Sequence, residues 1–174
     1  SAKGSASDTT GSLTAKGGGH GAGIGGSDKQ DGQATITGGK ITATGGNGAA
    51  GIGGGAGDKY AAVDGDGDVT ISGGTITATG GSGAAGIGGG LDGNGTVIIT
   101  GGDITAKARG YYGAGIGGGC GEIPKDTLIG GNGTVTISGG TITEASGGYM
   151  AAGIGSGYQG GLAALCANYG VDVE

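Results

Sequence analysis

A short motif, Ala-Gly-Ile-Gly, occurs five times along the chain and restricts the fold more than any other feature. Its isoleucines are separated by 28, 35, 29 and 38 residues and are Ile24, Ile52, Ile87, Ile116 and Ile154. A second motif precedes four copies, as in VTISGGTITATGG from Val69, and begins 18 or 19 residues before the isoleucine. A segment of nearly constant length followed by a variable connection is typical of stacked structural repeats.

Each repeat contains three short pieces separated by Gly pairs, which in the third copy read VTIS, TITAT and AAGIG. The first two pieces alternate with a period of two and are rich in Ile, Val and Thr, which predicts strands. The alternation places Ile76 and Ile87 in the interior and Thr77 on the outer face. The Gly pairs provide the positive φ angles that a sharp corner needs. Three strands and three corners predict one triangular coil for each repeat.

The sequence therefore predicts an all-β fold, a right-handed parallel β-helix of about five coils with three short strands each. Handedness follows from the preference of parallel crossovers. Residues 11–157 form the coils of one domain that spans 1–174. Residues 158–174 are expected to cap the last coil, because Leu162, Leu165, Cys166 and Tyr169 have helical spacing and a Gly follows.

Composition excludes several classes of protein. Gly accounts for 55 of 174 residues, but a single Pro excludes collagen. The 8 basic residues are scattered among 14 acidic ones, so we expect no nucleic-acid partner. No apolar run approaches the roughly 18 residues of a membrane span. We expect no enzyme, since no acid, base and nucleophile converge; the alternative is a lyase-like strand carrying Asp103, Lys107 and Arg109.

The two cysteines, Cys120 and Cys166, predict a disulfide that joins the fourth repeat to the cap. A disulfide indicates an oxidising, extracellular setting. The alternative is a pair of buried thiols.

The densest acidic cluster contains Asp64, Asp66 and Asp68. Carboxylates at alternate positions suit Ca²⁺, which is the one cofactor that the sequence suggests. The alternative is that Asp-Gly makes a turn into the following strand, because Asp31-Gly, Asp92-Gly-Asn94 and Gly-Asn132-Gly occupy the same place in other repeats.

Tyr111 and Tyr149 each stand five residues before a motif isoleucine, so we expect them on neighbouring coils in one column. Tyr112 and Arg109 lie beside them. Adjacent aromatic faces with an arginine suit a sugar ring. The alternative is a Tyr ladder that only covers a corner.

Threonines are expected to form ranks on two outer faces. One rank comprises Thr42, Thr77, Thr105 and Thr143, and the other face carries Thr35, Thr70, Thr96 and Thr134. Flat Thr ranks on a β-solenoid resemble the ice-binding face of insect antifreeze proteins. Ile98, Lys107 and Glu144 interrupt them, and Thr is also an ordinary residue of exposed strands.

The strings VTISGGTITATGG and AAGIGGG resemble the Gly-rich repeats of bacterial cell-surface proteins. They are similar, more loosely, to bacterial β-helix proteins with carbohydrate-binding domains. The resemblance implies a non-enzymatic adhesion module, extracellular or on the cell surface, that binds polysaccharide or a cell-surface glycan or associates with itself. The alternative is an ice-binding or fibre-forming protein that uses its flat Thr faces.

Overall fold

The computed structural model describes residues 11–57, 65–121 and 130–158. Within these ranges the chain forms twelve strands and no helix. The strands are β1 (Ser12–Lys16), β2 (Ile24–Gly25), β3 (Gly32–Ile36), β4 (Lys40–Thr44), β5 (Ile52–Gly53), β6 (Gly67–Ser82), β7 (Ile87–Gly88), β8 (Gly95–Arg109), β9 (Ile116–Gly117), β10 (Gly133–Ile137), β11 (Thr141–Ser146) and β12 (Ile154–Gly155).

The strands stack as a parallel β-helix, which confirms the predicted fold. We number the coils 1 to 5 by their motif isoleucines, from Ile24 to Ile154. The five two-residue strands that contain these isoleucines form one sheet, in the order β12-β9-β7-β5-β2. The other seven strands form a second sheet. Every described pairing is parallel and, apart from register shifts in the β6–β8 and β11–β8 pairs, joins equivalent positions of neighbouring coils.

Columns of equivalent aliphatic side chains fill the interior. In the middle of the stack, Ile76 pairs with Ile41 and Ile104, and Ile87 pairs with Ile52 and Ile116. Ile76 and Ile87 are fully buried, whereas Thr77 between them in sequence is exposed. The predicted alternation of inward and outward residues is therefore confirmed.

Glycine makes the corners and the closest approach between coils. The second Gly of each pair between the first two strands has a positive φ, for example 99° at Gly74. The Gly after each motif isoleucine also has a positive φ, between 127° and 132°. A Cβ at Gly88 would lie 2.0 Å from the carbonyl oxygen of Gly117 in the next coil. No residue with a side chain fits there.

The strands differ from the prediction in coils 3 and 4. We expected separate first and second strands, but β6 and β8 each continue through the Gly-Gly corner as one bent strand. The corner still disturbs the pairing, since the register between β6 and β8 shifts on both sides of Ser72. A Gly with positive φ lets the chain bend there while ladder bonding resumes on the next face.

The predicted place of Thr143 is wrong. The register between β11 and β8 shifts after Ile142, so Glu144 and not Thr143 pairs with Thr105. Thr143 is the extra residue of a bulge, and such a residue is left out of the ladder. The column of outward threonines is instead Thr14, Thr42, Thr77 and Thr105.

Among the described residues, coil 1 contains its second and third strands, β1 and β2, and residues 1–10, which precede β1, lie outside them. Residues 159–174, on which the predicted capping helix falls, lie outside the described residues.

Candidate functional site

A ladder of Asp and Asn side chains runs along the corner that leads into the first strand. The side chains in the first three coils of the ladder each accept a hydrogen bond from the backbone N–H of the equivalent residue one coil further on. Asp66 N–H donates to Asp31 Oδ1 at 2.9 Å, and Asn94 N–H donates to Asp66 Oδ1 at 2.7 Å. Asn132 N–H donates to Asn94 Oδ1 at 2.9 Å. These four residues occupy the slot that the sequence indicated.

The same corner holds the acidic residues that were considered for Ca²⁺. Asp66 and Asp68 line a groove of about 220 Å³ together with Asp31, and Asp64 lies outside the described residues. Asp66 Oδ1 also accepts a bond from Asn94 Nδ2 at 3.1 Å. In the described ranges no three Asp, Glu, His or Cys residues form a group that could hold a metal ion. The Ca²⁺ site stays a prediction.

Three tyrosines lie at the corner between the second and third strands of coils 4 and 5, and a fourth, which follows the third strand of coil 5, contacts one of them. The ring of Tyr111 lies 6.5 Å from that of Tyr149 in an edge-on arrangement. It also lies 5.9 Å from the ring of Tyr112. Tyr112 in turn contacts Tyr158, with ring centroids 5.2 Å apart and planes tilted by 34°. The structure thus brings together the three predicted tyrosines and adds Tyr158, which we call the tyrosine cluster.

Backbone hydrogen bonds hold the cluster in place. Met150 N–H donates to the carbonyl of Tyr111 at 3.0 Å, and Tyr158 N–H donates to that of Tyr112 at 2.8 Å. Tyr111 is 65% exposed and Tyr149 is 84% exposed, so their rings face solvent. Arg109 is exposed at the end of β8, two residues before Tyr111, and none of the described ring contacts involves it.

A groove of about 320 Å³ leads from the tyrosine cluster toward coil 1 along the outside of the third face. Its side chains come from His20, Asn47, Ser82, Leu91, Tyr112 and Cys120, and four glycines complete its lining. Tyr112 therefore belongs both to the cluster and to this axial groove. Cys120 is 4% exposed. No disulfide joins two described residues, and Cys166 lies outside them, so the Cys120–Cys166 bond stays a prediction.

The outward threonine column ends in charged residues at coil 5. Glu144 follows Thr105 in the column, and its carboxylate binds the ammonium of Lys107 at 2.7 Å. On the neighbouring face Ile98, 39% exposed, interrupts the column of Thr35, Thr70 and Thr136.

The chain belongs to the beta helix repeat family. The family model matches residues 35–56, 69–91, 94–120 and 135–158, which together are more than half of the chain. No curated protein and no solved structure matches the chain. Among the described residues there is no helix of the length and apolar character that a membrane crossing requires.

Sequence reasoning missed two features of the site. Tyr158 stands four residues after Ile154, as Cys120 stands four residues after Ile116, and this common spacing could have identified a second corner column. The axial groove was also missed, because it depends on glycines four residues before Ile52 and Ile87, which composition alone does not single out.

We predict that Asp66→Ala lowers the free energy of unfolding by about 1 kcal/mol, the typical contribution of a hydrogen bond. Asp68→Ala removes the same charge two residues away, outside the ladder, and is expected to stay within about 0.5 kcal/mol. Urea unfolding of both variants measures this. Equal losses of unfolding free energy in the two variants would contradict the structural role of the ladder.

A separate thermal melt tests the Ca²⁺ site. If EDTA lowers the melting temperature of the unmodified protein, the Ca²⁺ site is established.

Proposed function

We propose that this protein is a non-enzymatic, extracellular or cell-surface module that binds glycan through the tyrosine cluster. The observation that carries the proposal is the exposure of Tyr149 and Tyr111, at 84% and 65%, on a backbone fixed by coil-to-coil hydrogen bonds. An exposed group of contacting aromatic rings needs an explanation, because apolar surface of this kind commonly marks a binding site.

The chemistry of the rings suits a sugar. The C–H groups on one face of a pyranose ring pack against an aromatic face, while its hydroxyls need hydrogen-bond partners. Tyrosine offers both an apolar ring and a hydroxyl that donates and accepts. The edge-on arrangement of Tyr111 and Tyr149 leaves a ring face of at least one of them open. Arg109, two residues away, adds donors for sugar oxygens.

A rigid frame favours such a site. Each coil is bonded only to its neighbours, yet the bonds repeat over the whole stack, as in other solenoids. Little ordering of the backbone is then needed when a ligand binds, which reduces the entropic cost of association. The similarity of the GIGGG motif to repeats of bacterial cell-surface proteins supports the extracellular location and the role in adhesion.

Replacing the exposed rings tests this function. Tyr149→Ala and Tyr111→Ala are each expected to weaken binding of a glycan found on an array by about five- to tenfold, the loss of one aromatic stacking contact. Met150→Ala is the matched control, because Met150 is exposed at the same corner and carries no ring. It should change affinity by less than about twofold. Titration calorimetry measures all three variants. Unchanged affinity in both tyrosine variants, or an array without any bound glycan, would refute the proposal.

The threonine column supports a second candidate function, an ice-binding or fibre-forming protein. Thr14, Thr42, Thr77 and Thr105 stand in register on four successive parallel strands, which gives a regular spacing of about 4.8 Å. Self-association into a fibre would use the strands of coils 1 and 5, which among the described residues pair on one side only.

Thermal hysteresis distinguishes the ice-binding function from glycan binding. An ice-binding protein shows a gap between its melting and freezing temperatures, and Thr77→Lys in the middle of the column should abolish that gap because a bulky charge breaks the flat rank. Tyr149→Ala, at the corner after the second strand and outside the column, should leave it intact. Absence of any gap in the unmodified protein would eliminate this function.

A further inference from the structure

The axial groove has a regular origin in the repeat. His20, Gly48, Gly83 and Tyr112 each stand four residues before the motif isoleucine of coils 1 to 4. Their carbonyls accept hydrogen bonds of 2.7–2.8 Å from the N–H groups of Ala56, Leu91, Cys120 and Tyr158, each in the following coil. The two columns run parallel to the helix axis, side by side, and the groove lies along them.

The glycines of this groove let neighbouring side chains pack directly on the backbone. A Cβ at Gly83 would lie 2.8 Å from both Leu91 Cδ1 and Cys120 Sγ, so these side chains occupy the space beside the glycine backbone. His20 stands at one end of the column and Tyr112 at the other. Between its ends the groove is therefore lined by the apolar groups of Leu91 and Cys120, which pack on the glycine backbone, and by the polar groups of Asn47 and Ser82.

We infer that this axial groove binds a neutral, linear, β-linked oligosaccharide that lies along the helix axis and ends on the tyrosine cluster. The inference rests on the proposed glycan-binding function and assigns its ligand class and its subsites. The groove is continuous with the cluster through Tyr112, which lines the groove and whose ring lies 5.2 Å from that of Tyr158.

The dimensions fit such a chain. The column from His20 to Tyr112 spans three coil steps of about 4.8 Å, or about 14 Å in all. Successive rings of an extended β-linked hexose chain are separated by nearly the same distance as successive coils. One sugar ring then faces each coil step. The groove volume of about 320 Å³ is at the lower end of the range for small-ligand sites.

The lining also determines the charge of the ligand. None of the described residues that line the groove is Asp, Glu, Lys or Arg. Away from His20 at one end, the polar side chains of the groove are Asn47, Ser82 and Tyr112, which can exchange hydrogen bonds with hydroxyls but cannot neutralise a carboxylate or sulfate, and an uncompensated charge is costly to desolvate. A neutral sugar chain is thereby favoured over an acidic one.

A length series of oligosaccharides tests the inference with the complete chain. The probes are β-linked glucose, galactose and mannose oligomers of one to five units and uronic acid oligomers of the same lengths. We expect affinity for one neutral series to increase up to three units, one for each coil step, and then to remain constant. Uronic acid oligomers should bind at least about tenfold more weakly, a difference of about 1.4 kcal/mol.

Variants locate the bound chain. Ser82→Leu narrows the groove and removes a hydroxyl, and should weaken binding of the three-unit oligomer by about tenfold. Thr77→Leu is the matched control on the same strand, since Thr77 is exposed on a different face. It should change affinity by less than about twofold.

The outcomes separate this inference from the proposed function. If Tyr149→Ala weakens binding while Ser82→Leu does not, or if affinity is already constant at one unit, the groove is not the site and the inference is overturned, although the glycan-binding function stands. Equal binding of neutral and uronic acid oligomers overturns it as well. If the unmodified protein binds no oligosaccharide, both fail.

Discussion

The close approach of backbone to backbone on the third face is the constraint on which the rest of the structure depends. At Gly53, Gly88 and Gly117 a Cβ would lie within 2.0 Å of a carbonyl oxygen in the next coil. Glycine at these positions lets the coils close tightly around a thin interior of Ile, Val and Ala. Columns of identical side chains, each touching the coil above and below, then replace the large mixed core of a globular domain. This explains how a chain without Phe or Trp buries enough apolar surface to fold.

Most of the fold could be predicted from the periodicity of the sequence. The remaining features depend on local packing. The alternation of apolar and polar residues around Ile76 and Thr77 predicted which residues face inward, because successive side chains of a strand point to opposite faces of the sheet. Coils 4 and 5 each carry one residue more than coils 2 and 3 between the first strand and the motif isoleucine. The residue count alone does not show where the extra residue lies. In coil 5 the extra residue is Thr143, which forms the bulge. In coil 4 Ala106 still pairs with Ala78, so the extra residue comes later in that coil.

The candidate site was predicted in part for a related reason. Tyr111 and Tyr149 were placed in one column because both stand five residues before a motif isoleucine. Tyr158 was missed because it follows its isoleucine and reaches the cluster from the adjoining column. The ladder through Asp66 and Asn94 differs from the tyrosine cluster. The sequence showed that these residues share a position in their repeats, but their hydrogen bonds depend on side-chain geometry, which the sequence does not give. Both groups of side chains lie at corners of the coils, where a side chain can depart from the strand pattern without disturbing the interior.

The most direct measurement of the central claim compares two glycine variants by chemical unfolding. Gly88 has a φ of 129° and no room for a Cβ, whereas Gly38 has no atom within 4 Å of an added Cβ. Gly88→Ala should lower the free energy of unfolding by more than about 4 kcal/mol, or prevent folding, because strain and a backbone clash combine. Gly38→Ala should stay within about 0.5 kcal/mol of the unmodified protein. Equal stability of the two variants would contradict a solenoid held together by glycine-mediated contact between coils.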